Sequence, residues 1–243
     1  MTQGKARKRI LWSGMKHRIL QSAFGFLLVL LISGAGFAQV TPQELIERGK
    51  RELAAKNYLA AKASFEEAAR LGPTLPEAYL YRGKVQWDDA LALADFDKAI
   101  ELKPNYAEAF FERGLQRDLN NDRTGALSDY NRAIELNPRY VEAYMTRAVL
   151  YLLDGKGMLA IADYTRVIAL KPDGTSYYVR GNSYLEIGQY ANAVKDLTTS
   201  IRLDPTYYWS YMQRAKAYRN LGKFRLAFAD EQKAATIGPP KID

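Results

Sequence analysis

Cysteine is absent from this 243-residue sequence, and histidine occurs once, as His17. Without cysteine, the chain has no disulfide, no thiolate metal ligand and no cysteine-linked lipid anchor. Residues 39–243 contain neither histidine nor cysteine, which excludes Ser-His-Asp and Cys-His catalysis from that part of the chain. The sequence has no glycine-rich phosphate loop. Residues 118–129 resemble a calcium loop only in part, because Arg123 stands where such a loop needs glycine. We therefore expect no enzymatic activity, no metal site and no cofactor.

The positive charge of the chain is concentrated at its N-terminus. The formal net charge is +8, but residues 1–38 contain six basic residues and no acid. These six are Lys5, Arg7, Lys8, Arg9, Lys16 and Arg18. Residues 39–243 keep a net charge of only +2. The high isoelectric point therefore does not indicate a phosphate-binding surface, and we expect no nucleic-acid partner.

The N-terminal 38 residues have the order of an export signal. The basic stretch ends at Arg18, an apolar core follows at residues 23–32, and Gly36 and Ala38 are the small residues of a cleavage site. We expect cleavage between Ala38 and Gln39, with Met15 as a second candidate start. The alternative is an uncleaved membrane anchor at residues 19–38, which reaches the roughly twenty residues that a span needs. Both alternatives export the remainder of the chain, to the periplasm or beyond the cell, because the positive charge precedes the apolar run.

The rest of the sequence is repetitive. The segment AIELKPNYAEAF at residues 99–110 shares eight of its twelve letters with AIELNPRYVEAY at residues 133–144. A proline recurs every 31 to 34 residues, at Pro73, Pro104, Pro138, Pro172, Pro205 and Pro239. Each period contains two runs of apolar residues at helical spacing, separated by a turn. A period near 34 indicates stacked helical units.

Four positions recur within each period when the closing proline is numbered 32 and the first half of the second period, which is three residues short, is aligned with the first halves of the others. Position 4 is large: Leu45, Tyr79, Phe110, Tyr144, Tyr177 and Tyr211. Position 8 is small: Gly49, Gly83, Gly114, Ala148, Gly181 and Ala215. Position 20 is always alanine: Ala61, Ala92, Ala126, Ala160, Ala193 and Ala227. Position 24 is large in five periods: Phe65, Phe96, Tyr130, Tyr164 and Leu197, with Glu231 in the sixth.

This pattern resembles the tetratricopeptide repeat family. The resemblance implies an all-α fold, a right-handed superhelical solenoid of six helix pairs. The repeat domain is expected over residues 39–243, with repeats at about 42–75, 76–106, 107–140, 141–173, 174–207 and 208–241. Small residues at positions 8 and 20 would let the helices of a pair approach, and large residues at positions 4 and 24 would fill the space between pairs.

Position 7 is arginine in all six repeats, and position 23 is aspartate in all but the first, where Ser64 stands. Position 7 lies on the first helix of a pair and position 23 on the second, so we expect ion pairs within each repeat. The expected pairs are Arg113–Asp129, Arg147–Asp163, Arg180–Asp196 and Arg214–Asp230. The alternative is an arginine stripe that binds a polyanion.

The family resemblance also implies a concave groove lined by the first helices, where a protein or peptide segment binds. The groove residues carried over by position are Tyr81, Lys84, Trp87, Phe111, Leu115, Met145, Val149, Tyr178, Asn182, Trp209 and Met212. No repeat has the Lys and Asn at positions 5 and 9 that the family uses to clamp chaperone carboxylates. The function expected from the sequence is an exported scaffold that binds a protein segment. The alternatives are a membrane-anchored assembly factor for an envelope complex and, least favoured, an enzyme.

Overall fold

A computed structural model describes residues 40–239. The expected export signal and the alternative anchor, both within residues 1–38, lie outside the described residues. In the described part the structure contains twelve α-helices and no strand. They are α1 Pro42–Ala54, α2 Tyr58–Leu71, α3 Pro76–Lys84, α4 Asp89–Leu102, α5 Ala107–Leu119, α6 Arg123–Leu136, α7 Val141–Leu153, α8 Gly157–Leu170, α9 Gly174–Glu186, α10 Tyr190–Leu203, α11 Tyr208–Asn220 and α12 Phe224–Ile237.

The helices pack as six consecutive pairs. Pair 1 is α1 with α2, pair 2 is α3 with α4, and the series continues to pair 6, which is α11 with α12. Each helix contacts its partner most extensively and the adjacent pair next. Contacts between neighbours in sequence are typical of solenoids, in which each unit is stabilised by the next. The predicted all-α solenoid is confirmed.

Local sequence sets where several of the helices begin. Thr41 and Glu44 form a reciprocal capping box at the start of α1, where Pro42 also stands in the first turn. The carboxylates of Asp88, Asp122 and Asp173 accept a backbone N–H at the start of α4, α6 and α9. Such side chains satisfy N–H groups that have no partner within the helix.

The turns inside the pairs rely on a left-handed residue. One residue with positive φ occurs in this turn in five pairs: Lys56, Asn121, Gly155, Gly188 and Gly222. Pair 2 is the exception: its turn, residues 85–88, is one residue longer than the three-residue turns of the other pairs, and its first helix, α3, has nine residues where the other first helices have thirteen. The missing residues therefore shorten α3 rather than the helix that follows it.

The two helices of a pair approach closely at the small residue of position 8. A Cβ added to Gly114 would lie 2.6 Å from Cε1 of Tyr130, which is buried at position 24 of the same pair. Adjacent pairs meet through alanines: Ala78 packs against Ala68, Ala109 against Ala99, and Ala143 against Ala133. Between pairs 5 and 6 the hydroxyls of Ser200 and Ser210 take this place, 2.7 Å apart. The core is therefore a row of small interfaces rather than one central cluster.

Candidate protein-binding surface

The four expected ion pairs are present as two-point contacts. In pair 3, Nε of Arg113 donates to Oδ2 of Asp129 at 2.9 Å and Nη2 donates to Oδ1 at 2.6 Å. The same two-point geometry joins Arg147 to Asp163, Arg180 to Asp196, and Arg214 to Asp230. The five aspartates at position 23 are all buried. The hydrogen bonds that Arg113 donates to Asp129 are the main reason why the pKa of Arg113 is raised above its ordinary value.

These arginines also reach across to the preceding pair, which sequence analysis missed. Nη1 of Arg113 donates to Asp97 and that of Arg147 donates to Asn131, both at 2.6 Å. Arg180 and Arg214 make the equivalent contact to Thr165 at 3.1 Å and to Thr198 at 2.9 Å. All four acceptors stand at position 25 of the preceding repeat, so a polar residue at that position was the available signal. Each arginine therefore ties its own pair together and also ties it to the pair before.

Pair 1 lacks this arrangement. Arg48 donates to the hydroxyl of Ser64 at 2.9 Å, and that hydroxyl donates to Glu52 at 2.6 Å. The side chain of Arg48 is 51% exposed, against 15% for Arg147. From pair 3 onward the guanidinium donors are held by neighbouring side chains, which leaves little of the expected polyanion stripe open.

The residues expected to line a groove differ in exposure. Lys84, Trp87, Val149 and Trp209 are exposed. Six are partly buried: Tyr81, Leu115, Met145, Tyr178, Asn182 and Met212. Phe111 is buried. The exposed and partly buried members other than Trp87 lie on the first helices α3, α5, α7, α9 and α11.

Phe111, which the repeat pattern places among the groove residues, is buried in a core cluster. Only 8% of it is accessible, because its ring packs 4.9 Å from the ring of Tyr140 and 5.8 Å from that of Tyr130. The two tyrosines come from the linker before α7 and from α6, and they close over the position from both sides.

Trp87 also departs from its predicted place. Because α3 ends at Lys84, Trp87 lies in the turn between α3 and α4 rather than on a first helix. It is 72% exposed, and its ring centroid lies 6.0 Å from Nζ of Lys62. It therefore belongs to the edge of the array formed by the turns.

Tyr81 lies at the centre of a mixed aromatic and charged cluster. Its ring stacks on Phe65 at 5.4 Å, with Nζ of Lys50 at 4.8 Å and Nζ of Lys84 at 5.5 Å from the ring centroid. Lys84 forms ion pairs with Glu112 at 2.7 Å and with Glu108 at 3.1 Å. Burial lowers the pKa of Lys84, but the two glutamates outweigh it, and the net shift is upward. The first-helix face is thus more charged in pairs 1 to 3 than in pairs 4 to 6.

Sequence analysis missed three tyrosines that enter this face from the linkers between pairs. Tyr106, Tyr140 and Tyr207 each stand two residues after a closing proline and immediately before a first helix. Tyr207 makes an edge contact with Tyr178 at 5.0 Å. Burial is the main cause that raises the pKa of all three above the ordinary tyrosine value. Their regular spacing after the prolines was the signal in the sequence.

No group of three or more acidic or histidine side chains in residues 40–239 is placed to hold a metal ion. Within the same residues, no helix is both long enough and apolar enough to cross a membrane.

Paired helices with small residues at the crossing points define an α-helical repeat protein of the scaffold class. Residues 120–175 match the family profile described as "Tetratricopeptide repeat", and residues 181–222 match the one described as "TPR repeat". Residues 120–175 and 181–222 of the chain therefore contain tetratricopeptide repeats. Proteins with this fold typically act as non-catalytic scaffolds for interactions between proteins.

Solved structures share the fold at low sequence identity. A tetratricopeptide repeat protein from Parabacteroides merdae is 23% identical, with a TM-score of 0.64 over 82% of this chain and 80% of that one. The C-terminal part of a repeat protein from Cytophaga hutchinsonii is 19% identical, with a TM-score of 0.70 over 79% of this chain and 78% of that one. YrrB is 18% identical, with a TM-score of 0.64 over 72% of this chain and 92% of that one. None of the curated proteins compared with this sequence matches it.

Proposed function

We propose that this chain is a non-catalytic scaffold that binds a segment of another protein along the face formed by its first helices. The observation that carries the proposal is the exposed or partly exposed apolar surface that continues over α7, α9 and α11. Met145 and Val149, Tyr178, and Trp209 and Met212 supply it. Residues 39–243 have a net charge of only +2, so electrostatic steering is weak and apolar anchors are expected to supply most of the affinity.

Two structural neighbours support a protein or peptide partner. YrrB is described as a tetratricopeptide repeat protein with an unusual peptide-binding site. This chain also matches 41% of a chain in the structure of the Cut9–Hcn1 hetero-tetramer. Both likenesses lie below 20% identity and concern the fold, so the partner of this chain is to be found by experiment.

Photo-crosslinking tests the binding face directly. A photo-reactive amino acid placed at Val149, which is 47% exposed on α7, should give a discrete crosslinked product in the producing cell. The matched control is the same substitution at Glu135, which is exposed on the second helix α6. The product should be strong at Val149 and absent at Glu135. Equal products at both sites, or a product only at Glu135, would contradict the proposal.

We also propose that the scaffold acts outside the cytoplasm after cleavage of residues 1–38. The support is the order of charge, apolar core and small residues in that segment. N-terminal sequencing of the mature protein should begin at Gln39. A full-length product in the membrane fraction would favour the anchor at residues 19–38 and an assembly role at the membrane.

A further inference from the structure

Exposed apolar side chains are concentrated at the turns inside the pairs. In the described residues, eleven of the sixteen exposed large hydrophobic side chains lie within three residues of such a turn, and these eleven are 38% to 76% exposed. We call this surface the turn edge. Its main members are Leu59, Trp87, Leu119, Leu153, Met158 and Phe224.

The turn edge is continuous over the middle of the array, because consecutive turns touch. Gln116 of pair 3 donates to Asp89 of pair 2 at 2.9 Å. Arg123 of pair 3 lies 3.7 Å from Asp154 of pair 4. The turns of pairs 4 and 5 meet where Gln189 approaches the sulfur of Met158 at 3.8 Å. Exposed apolar side chains concentrated along one edge in this way favour a surface that binds a partner.

The charges along the turn edge show what fits it. The turn of pair 2 carries Asp88 and Asp89, and the turn of pair 6 carries Lys223 and Arg225. None of these four residues forms an ion pair within residues 40–239. The turn of pair 4 carries one charge of each sign, on Asp154 and Lys156. The negative charge at the pair 2 end of the turn edge therefore complements the positive charge at the pair 6 end. The turn of pair 4 carries both signs and complements a second copy of itself.

We propose that the turn edge is a self-association surface on which a second copy of this chain packs antiparallel. A two-fold axis at the turn of pair 4 would bring each copy's pair 2 opposite the other copy's pair 6, because both are two pairs away from the axis. Asp88 and Asp89 then face Lys223 and Arg225 twice in the dimer. Leu153 and Met158 meet their own counterparts at the axis. Such an interface is isologous, so the same patch serves both copies.

This register also determines which part of the edge stays uncovered. Pair 1 would lie opposite a seventh pair, and the described array has six. Leu59, which is 68% exposed at the start of α2, is therefore outside the interface although it belongs to the same edge. The turn edge contains none of the first-helix residues on which the proposed function rests. An experiment that rejects one of the two proposals therefore leaves the other untouched.

Light scattering tests the proposal on the protein purified from the producing cell, after any processing of its N-terminus there. The wild type should have the mass of a dimer. Met158→Asp should weaken self-association at least tenfold at unchanged helical content, and the matched control Leu59→Asp should change it less than twofold. A wild type that stays monomeric, or an equal loss for Leu59→Asp, would overturn the proposal.

Charge reversal and crosslinking test the register. Arg225→Glu should weaken the dimer, and Asp89→Arg added to the same chain should restore it. Because the chain has no cysteine, Lys156→Cys treated with a short bismaleimide should give a crosslinked dimer, and Asn57→Cys should not. Failure of the charge rescue, or crosslinking only at Asn57→Cys, would reject the antiparallel arrangement. A monomer that floats with vesicles of phosphatidylcholine and phosphatidylglycerol would instead assign the edge to a membrane surface.

Discussion

At the scale of single residues, the ion pairs at positions 7 and 23 are placed to stabilise the fold. Side chains of Arg147 and Asp163 are only 15% and 8% exposed, so removal of either leaves the other buried without its main partner. We expect Arg147→Ala and Asp163→Ala each to lower the free energy of unfolding. The double variant should lose less than the sum, with a coupling energy of about 1–3 kcal/mol. Urea denaturation of the four proteins in this double-mutant cycle measures it.

The matched control for this cycle is the exposed pair of Arg132 and Glu135 on α6, whose atoms lie 3.0 Å apart. Exposed pairs at this spacing contribute about 0.3–0.5 kcal/mol, because water and salt screen them. Coupling as small at Arg147 and Asp163 as at the control would mean that the buried pair does not stabilise the array.

Phe111 is the residue for which the structure most changes the expected effect of substitution. Phe111→Ala should lower the free energy of unfolding by about 3–5 kcal/mol, since it removes a buried ring between two tyrosines. Val149→Ala, on the exposed part of the next first helix, should cost less than about 0.5 kcal/mol. Chemical denaturation compares the two. If Phe111→Ala left the free energy of unfolding unchanged, the side chain would not be part of the core, and its assignment to the binding face would be favoured again.

At the scale of helices, the close crossing within a pair depends on a small residue at position 8, which is glycine in four pairs and alanine in pairs 4 and 6. Gly114→Ala should destabilise by about 1–3 kcal/mol, although alanine is the better helix former, because its Cβ would meet the buried Tyr130 ring. In a Tyr130→Leu background the same change should cost less, since in pair 5 a Cβ added to Gly181 would lie 2.9 Å from Cγ of Leu197, farther than the 2.6 Å between a Cβ added to Gly114 and the Tyr130 ring in pair 3. Thermal unfolding measures both. A stabilising Gly114→Ala would show that the helices can separate freely.

The recurring small and large residues were sufficient to predict the helix pairs, because the same size complementarity recurs in five of the six repeats and only position 24 departs from it in the last. They could not predict the exposure of single side chains. Phe111 and Tyr178 occupy the same position, yet the Phe111 ring packs against two other rings while Tyr178 packs against one, that of Tyr207. The position of a residue in the repeat indicates in which direction its side chain points. The size of the neighbouring side chains determines how much of that side chain is exposed to solvent.

Trp87 shows a second limit of reasoning from repeat positions. The shortened second repeat could have lost residues from its turn or from either helix, and numbering by position does not distinguish these. The structure ends α3 at Lys84, which moves Trp87 off the first-helix face. The cross-links from each arginine to the preceding pair were missed for a related reason. They depend on side chains as different as Asp97, Asn131 and Thr165, which share position 25 and a polar character but not a residue type.

At the scale of the whole described array, stability is distributed along a line of neighbours. Pair 1 presents Glu44 where Ala78, Ala109 and Ala143 are buried against a preceding pair. Pair 6 presents Phe228, 61% exposed, at the position where Ile161 is buried in pair 4. The end pairs therefore have fewer stabilising interfaces than the central pairs.

Hydrogen exchange should reveal this gradient. We expect backbone amides of α6 to α8 to exchange most slowly and those of α12 to exchange fastest among the helices, because α12 has a neighbouring pair on one side only. Val167→Ala, a cavity at a fully buried site in α8, should lower protection most in α7 to α9 and least in α1 and α2. Mass spectrometry of peptic peptides resolves these helices separately. Equal protection of all helices in the wild type, with an equal loss in the variant, would contradict this expectation. It would mean that the array opens only as a whole, and that interfaces between pairs contribute more to stability than contacts within a pair.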